Sequence, residues 1–105
     1  MLTKRIALSR VKKFLAECES LPFKIDKAIL FGSAATGKTG INSDIDLALF
    51  SSHFTDNILD NLDLIGKINI RYPEIDAHTY SLKYLSKKGL VLDEIKKTGI
   101  EIPVH

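Results

Sequence analysis

The sequence predicts a small α/β domain, in the wider sense that includes α+β proteins, with a short mixed β-sheet and helices packed mainly on one face. Segments 44–50 and 74–80 alternate apolar and polar residues, which is the two-residue period of a half-buried strand. Segments 3–20 and 56–69 repeat apolar residues every three or four positions, which is the period of an amphipathic helix. The length of 105 residues is typical of one domain, so we expect residues 1–105 to fold as a single unit.

Composition and charge exclude several classes of function. The net charge is only +2, which gives no general electrostatic case for nucleic acid, so direct nucleic-acid binding is not expected. The single cysteine cannot form an internal disulfide, and basic residues interrupt the N-terminal segment where a secretory signal would need an apolar run. No apolar run approaches the roughly 18 residues that span a membrane. We therefore expect a cytoplasmic protein that does not associate with membranes.

The first element is predicted to be a helix over residues 3–20 that ends before Pro22. Its apolar stripe consists of Leu8, Val11, Leu15 and Cys18. Because Cys18 lies on this stripe, we interpret it as a buried small hydrophobic residue and not as a reactive thiol.

The second element is an apolar strand over Lys27–Phe31 that runs into Gly32 and Ser33. Glycine lacks a Cβ, so backbone N–H groups near it can approach a phosphate, and the serine hydroxyl adds a further donor. The loop Ala34–Ser43, which includes Lys38, is predicted to face the phosphates of a nucleotide. A plain connection between two strands is the alternative, and the carboxylates that follow the loop favour the phosphate-binding interpretation.

Asp44 to Phe50 form the second predicted strand. Alternation directs Asp44 and Asp46 to one face and the intervening apolar residues to the other. The two Cα atoms would lie roughly 6.5 to 7 Å apart, which suits carboxylates converging on one or two hard cations such as Mg²⁺ or Mn²⁺. A solvated polar face of an edge strand is the alternative.

The next helix is predicted over Asp56–Asn69, with Thr55 as its N-cap. We expect its apolar residues to face the core, namely Ile58, Leu59, Leu62 and Ile65.

A third strand is predicted over Glu74–Tyr80, with Asp76 and His78 on the same face. Paired strands lie only about 5 Å apart, so Asp76 would come within reach of the first two carboxylates. We interpret His78 as a polar surface residue. Residues 82–97 are expected to form helical turns broken near Gly89, and residues 100–104 a last short strand that Pro103 stops.

The segments 31–33, Phe-Gly-Ser, and 44–47, Asp-Ile-Asp-Leu, together resemble the signature of the nucleotidyltransferase superfamily typified by DNA polymerase beta. The small size and Ser43 before the first Asp resemble the minimal nucleotidyltransferases of prokaryotes. The resemblance implies a polymerase beta-like nucleotidyltransferase fold. It also makes Asp76 the match to the third catalytic carboxylate of the family.

The resemblance further implies a metal-dependent enzyme that transfers a nucleotide, AMP from ATP, to a hydroxyl of a partner protein. Its implied catalytic and metal residues are Asp44, Asp46 and Asp76, with Mg²⁺ or Mn²⁺ as the cofactor. Its implied nucleotide-binding residues are Gly32, Ser33, Lys38 and Ser43. Relatives of this size commonly pair with a helical HEPN-type protein as antitoxin to its toxin, so a hetero-oligomer is expected, with a homodimer as the other possibility.

The chain departs from the family at one place. Many minimal members carry Arg soon after Gly-Ser, whereas this chain has Ala34 and Ala35. The alternative function is therefore a non-catalytic antitoxin, or a nucleotide-binding module, that masks a partner.

A third possible function, that of a P-loop nucleoside triphosphatase, is indicated by segment 32–39. Its sequence, GSAATGKT, satisfies the P-loop pattern. That pattern requires a helix starting at Lys38-Thr39, yet only residues 40–43 precede the next strand. A P-loop domain also needs several parallel strands with crossover helices, for which the chain is short.

Overall fold

A four-stranded mixed sheet forms the centre of the fold in this computed structural model, which describes residues 3–36, 44–85, 93, 95 and 97–104. The strands are β1 (Lys27–Phe31), β2 (Ile45–Ser51), β3 (Ile75–Ser81) and β4 (Ile100–Ile102), and they lie in the order β3-β2-β1-β4. The helices are α1 (Lys4–Cys18), the single turn α2 (Ser33–Thr36) and α3 (Ile58–Asn69), and a 3₁₀ helix spans Leu82–Leu85. The predicted fold class and all four predicted strands are confirmed.

The sheet is mixed because β1 pairs antiparallel with both β2 and β4, whereas β2 pairs parallel with β3. Parallel neighbours need a crossover connection, and α3 supplies it between β2 and β3. The parallel register sets Asp46 directly opposite Asp76. Asp46 also pairs with Phe31 of β1, so these three residues share one face of the sheet.

Helices α1 and α3 cover the opposite face of the sheet, where the main core lies. Helix α1 begins after Thr3, whose hydroxyl oxygen accepts the N–H of Ile6 at 3.1 Å. Its buried residues are Ala7, Val11, Phe14, Leu15 and Cys18. The predicted first helix is therefore confirmed, and so is the burial of Cys18, which is 4% exposed. Burial raises the pKa of the Cys18 thiol to about 12.

Helix α3 begins two residues later than the sequence predicts. Asn57, not Thr55, is its N-cap, and the Asn57 Oδ1 atom accepts the N–H of Asp60 at 3.2 Å. The Thr55 hydroxyl instead accepts the N–H of Asn57 at 3.1 Å. Both residue types are good caps, and the local pattern did not discriminate between them.

The predicted core face of α3 is wrong at three of its four positions. Ile58, Leu59 and Leu62 are 65%, 73% and 39% exposed, and the buried residues of the helix are Asn61, Ile65 and Ile68. Asn61 explains why a different side of α3 is buried. Its amide nitrogen donates to the Thr55 carbonyl at 2.7 Å and to the Thr79 hydroxyl at 3.0 Å. Its carbonyl oxygen also accepts the Thr55 N–H at 2.8 Å. A buried amide with three partners fixes which side of α3 faces the sheet.

The face that carries Asp46 and Asp76 is less open than the sequence led us to expect. A second apolar cluster covers the rest of this face, with Ile29, Ala48, Phe50 and Ile95 buried and with Phe31, Tyr80, Leu82, Tyr84 and Leu85 packed against them. The rings of Phe50 and Tyr80 stack with centroids 5.2 Å apart. Among the described residues, the end of this face that holds the two carboxylates is accessible, with Asp76 57% exposed.

Residues 93, 95, 97 and 98 are helical, in agreement with the predicted turns before the last strand. The predicted break near Gly89 lies outside the described residues. None of the helices in the described ranges is long and apolar enough to cross a bilayer.

Candidate functional site

Two carboxylates lie side by side at the beginning of the two parallel strands. Asp46 is the second residue of β2, Asp76 is the second residue of β3, and the register pairs them directly. Neighbouring strands are separated by about 4.8 Å, so side chains on the same face at paired positions converge on a common volume. The prediction that Asp76 lies within reach of Asp46 is confirmed.

His78 completes this group. Its Nε2 atom lies 3.4 Å from Oδ1 of Asp46 and 3.3 Å from Oδ2 of Asp76. One ligand atom from each of the three side chains lies within 4.8 Å of the other two. The ring of Phe31 packs edge-on against the imidazole, with centroids 5.1 Å apart.

From the sequence we interpreted His78 as a polar surface residue, and its position beside the two carboxylates was not assigned. The side chain is 37% exposed and faces both carboxylates. The signal that identifies it is the alternation of Asp76 and His78 on one face, combined with a parallel register that alternation alone does not fix.

Asp44 stands apart from these three residues. It precedes β2 by one residue and is exposed. In the described part of the chain, the group of close metal-ligating side chains contains Asp46, Asp76 and His78 and does not include Asp44. Its assignment as a metal ligand stays a prediction.

Gly32 closes the other side of the site. Its φ of +73° lies in the left-handed region that L residues rarely adopt, and its carbonyl accepts the N–H of Ala35 at 3.2 Å. A Cβ built on Gly32 would lie 2.5 Å from Oδ2 of Asp46. Glycine is therefore required both by the turn that leaves β1 and by the close approach of the Asp46 carboxylate.

The segment after Gly32 is only partly a loop. Ser33–Thr36 form the helical turn α2, which corrects the prediction of an irregular connection from residue 34 onward. Ala34 and Ala35 are buried in the main core, so the position where many minimal family members carry Arg is a packing position here. Lys38 and Ser43, both predicted to bind nucleotide, lie outside the described residues.

The donor atoms of the site fit a divalent cation. Carboxylate oxygens are the ligands preferred by Mg²⁺ and Mn²⁺, and a neutral imidazole nitrogen is a ligand for transition metals. The three donors come from two adjacent strands, which hold them more rigidly than a loop would.

A mixed sheet with paired aspartates at the start of two parallel strands, next to a glycine turn, has the architecture and site of a nucleotidyltransferase domain. The chain belongs to the family described as nucleotidyltransferase domain, which it matches over residues 8–100. The predicted membership and enzyme class are thus confirmed. Among curated proteins, no sequence matches this chain significantly.

Several solved structures share the fold. A candidate nucleotidyltransferase from Sulfolobus solfataricus is 21% identical with a TM-score of 0.69, and the match covers 93% of this chain and 80% of that one. A toxin-antitoxin complex with AMP-PNP is 23% identical with a TM-score of 0.59, over 90% of this chain and 70% of that one. A tri-AMPylated Shewanella oneidensis HEPN toxin in complex with an MNT antitoxin is 21% identical with a TM-score of 0.54, over 93% and 70% of the two chains.

The P-loop alternative is not supported by the sheet. The strand before the GSAATGKT segment is β1, and both of its neighbours run antiparallel to it. A P-loop strand belongs to a parallel sheet built from βαβ units.

Proposed function

We propose that this protein transfers a nucleotide, AMP from ATP, to a hydroxyl group of a partner protein in a metal-dependent reaction. The observation that carries the proposal is the pairing of Asp46 with Asp76 beside the Gly32 turn, within a nucleotidyltransferase domain. The partner is proposed to be a HEPN-type toxin, for which this chain would serve as the antitoxin.

The residues of the chain have distinct roles in this proposal. Asp46 and Asp76 would hold Mg²⁺ or Mn²⁺ with their carboxylate oxygens, and Asp44 is proposed as a further ligand. When bound, the cation neutralises charge that develops on the phosphate oxygens. Backbone N–H groups at Gly32 and Ser33, assisted by Lys38 and Ser43, hold the outer phosphates.

The reaction is a single displacement at the α-phosphorus of ATP. The acceptor oxygen forms a bond to this phosphorus, the bond from the α-phosphorus to the bridging oxygen breaks, and pyrophosphate leaves. Asp76 accepts the proton of the acceptor hydroxyl, because its carboxylate is more exposed than that of Asp46 and is therefore easier for an incoming acceptor to reach.

Two observations support a protein as the acceptor. Among the solved structures that share this fold are complexes of HEPN toxin and MNT antitoxin, one of them with the toxin AMPylated. In addition, helix α3 exposes Ile58, Leu59 and Leu62 next to one another, and exposed apolar patches mark interaction surfaces more often than isolated apolar residues do.

A non-catalytic antitoxin is the second candidate function. Ala34 is 0% exposed where many minimal family members carry Arg, so no side chain at this position extends toward the phosphates. In this alternative the chain neutralises its partner by covering it, and Asp46 and Asp76 are dispensable.

The two functions are separated by co-expression with the product of the adjacent gene, the proposed HEPN-type partner, followed by intact mass spectrometry of both proteins. We expect the partner to gain at least one AMP unit when ATP and Mg²⁺ are supplied. Asp46→Asn and Asp76→Asn should each remove the gain while leaving the circular dichroism spectrum unchanged. Glu19→Gln, an exposed carboxylate that follows α1 on the other face of the sheet, is the control and should retain it. A stable complex without any mass gain, in which Asp46→Asn still neutralises the partner, would establish the non-catalytic function instead.

A further inference from the structure

The imidazole of His78 occupies the position between Asp46 and Asp76 where a third metal ligand would stand. Its Nε2 atom is almost equidistant from the two carboxylates, at 3.4 Å from Asp46 and 3.3 Å from Asp76. On the described strands, the three neighbouring side chains together offer one nitrogen and two oxygen donors to a metal ion.

The distances from His78 Nε2 to the two carboxylates can be compared with those expected for hydrogen bonds and for ligands of one metal ion. An imidazole N–H that donates to a carboxylate normally lies about 2.7 to 3.2 Å from the oxygen, with charged pairs at the short end. Two donors that share one cation at about 2.0 to 2.1 Å lie roughly 3.4 Å apart in a tetrahedral arrangement and roughly 3.0 Å apart in an octahedral one. Both distances are compatible with donors that share one cation, and the contact with Asp46 also has the geometry of a long hydrogen bond.

The surroundings of His78 hold its ring over the carboxylates. The ring of Phe31 contacts one edge at a centroid distance of 5.1 Å, and the residue across the strand pair is the small, fully buried Ala48. A larger side chain at position 48 would take up the space beside the imidazole. Restricting the ring in this way lowers the entropy lost when it binds a metal.

We propose that His78 Nε2 is the third protein ligand of the metal that Asp46 and Asp76 hold, and that this ligand makes the site prefer Mn²⁺, Co²⁺ or Zn²⁺ to Mg²⁺. Imidazole nitrogen suits borderline transition metals, whereas Mg²⁺ prefers oxygen ligands and water. This inference rests on the proposed function only for the identity of the site, since metal binding is measured without nucleotide or partner.

The test uses Mn²⁺ as the probe with the isolated chain. Pulsed electron paramagnetic resonance should detect ¹⁴N coupling from a directly bound imidazole, and His78→Gln should abolish this coupling. His53→Gln makes the same chemical change at an exposed histidine near Phe23 and should leave the coupling intact. Calorimetry should give a Mn²⁺ dissociation constant at least about tenfold weaker in His78→Gln, while that of Mg²⁺ changes by less than about threefold.

A second variant keeps the test meaningful if removal of the ring disturbs the site. His78→Asp restores a carboxylate ligand, so metal should still bind, with the ¹⁴N coupling gone and the preference shifted toward Mg²⁺. Wild-type Mn²⁺ binding without ¹⁴N coupling, or equal Mn²⁺ affinity in wild type and His78→Gln, would overturn the proposal. Neither result would argue for or against AMP transfer. If AMP transfer were absent while the ¹⁴N coupling was intact, only the proposed function would be overturned.

Discussion

Replacing Gly32 with alanine is expected to damage the metal site more than the fold. The left-handed φ of +73° costs an L residue about 1 to 2 kcal/mol, which lowers the melting temperature of a domain this size by roughly 5 to 15 °C. The new Cβ would also lie 2.5 Å from Asp46 Oδ2, and ordinary van der Waals contact begins at 3.4 Å. The Asp46 carboxylate must therefore move by nearly 1 Å, or the turn must open.

A displacement of about 1 Å in a catalytic group costs on the order of 10²-fold in rate, and the affinity for metal should fall with it. We expect Gly32→Ala to weaken Mn²⁺ binding at least tenfold in calorimetry and to lower AMP transfer about a hundredfold. Thermal unfolding followed by circular dichroism measures the decrease in melting temperature separately from the effect on the site.

The control is Gly66→Ala, because a Cβ built at this position in α3 meets nothing within 4 Å. Alanine in a helix is favoured over glycine by roughly 0.5 to 1 kcal/mol, so this variant should be slightly more stable and equally active. If Gly32→Ala bound Mn²⁺ as tightly as the wild type, the close approach between Gly32 and Asp46 would not constrain the site.

Two other predictions concern residues outside the site. Burial raises the pKa of the Cys18 thiol from 9.0 to about 12, so the stability it contributes is complete below pH 9 and is lost as the pH rises toward 12. Urea unfolding at pH 7 and pH 10 should show that the free energy of unfolding falls by roughly 1 to 2 kcal/mol less in Cys18→Ala than in the wild type over this interval. Equal losses would contradict the raised pKa. Leu59→Asp, on the exposed apolar patch of α3, should weaken the complex with the HEPN-type partner at least tenfold in calorimetry. The same change at Ile6, an exposed apolar residue of α1, is the control, and equal effects at both positions would argue against α3 as the contact surface.

The sheet was predictable because its signals are local. Side-chain alternation is a property of a single strand, and it identified β2 and β3 without knowledge of their partners. The site aspartates followed only in part from the same pattern, because alternation assigns each of them to a face of its strand, whereas the register of β2 and β3 brings Asp46 and Asp76 together.

The orientation of α3 depends on contacts that are distant in sequence. Apolar residues occupy much of its circumference, so helical spacing alone allows more than one buried face. Hydrogen bonds from Asn61 to Thr55 and Thr79 select the face that packs on the sheet, and they involve a strand 18 residues away. The exposure of Leu59 is the consequence.

The contacts of Gly32 and His78 with the site aspartates could not be predicted either, because they depend on how the strands pair. The sequence indicates that Gly32 serves phosphate binding. Its close approach to Asp46, however, depends on the antiparallel register of β1 and β2. His78 comes to the carboxylates only through the parallel register of β2 and β3, which the alternation pattern does not determine.

The central claim, nucleotidyl transfer by Asp46 and Asp76, is tested most directly by following the two ends of ATP. ATP labelled at the α-phosphate or at the γ-phosphate is incubated with Mg²⁺, this chain and the proposed HEPN-type partner. We predict that the α label alone becomes covalently attached to the partner and that the γ label leaves as pyrophosphate. Neither should happen with Asp46→Asn. Attachment of the γ label, release of the γ label as inorganic phosphate, or α labelling that persists in Asp46→Asn would contradict it.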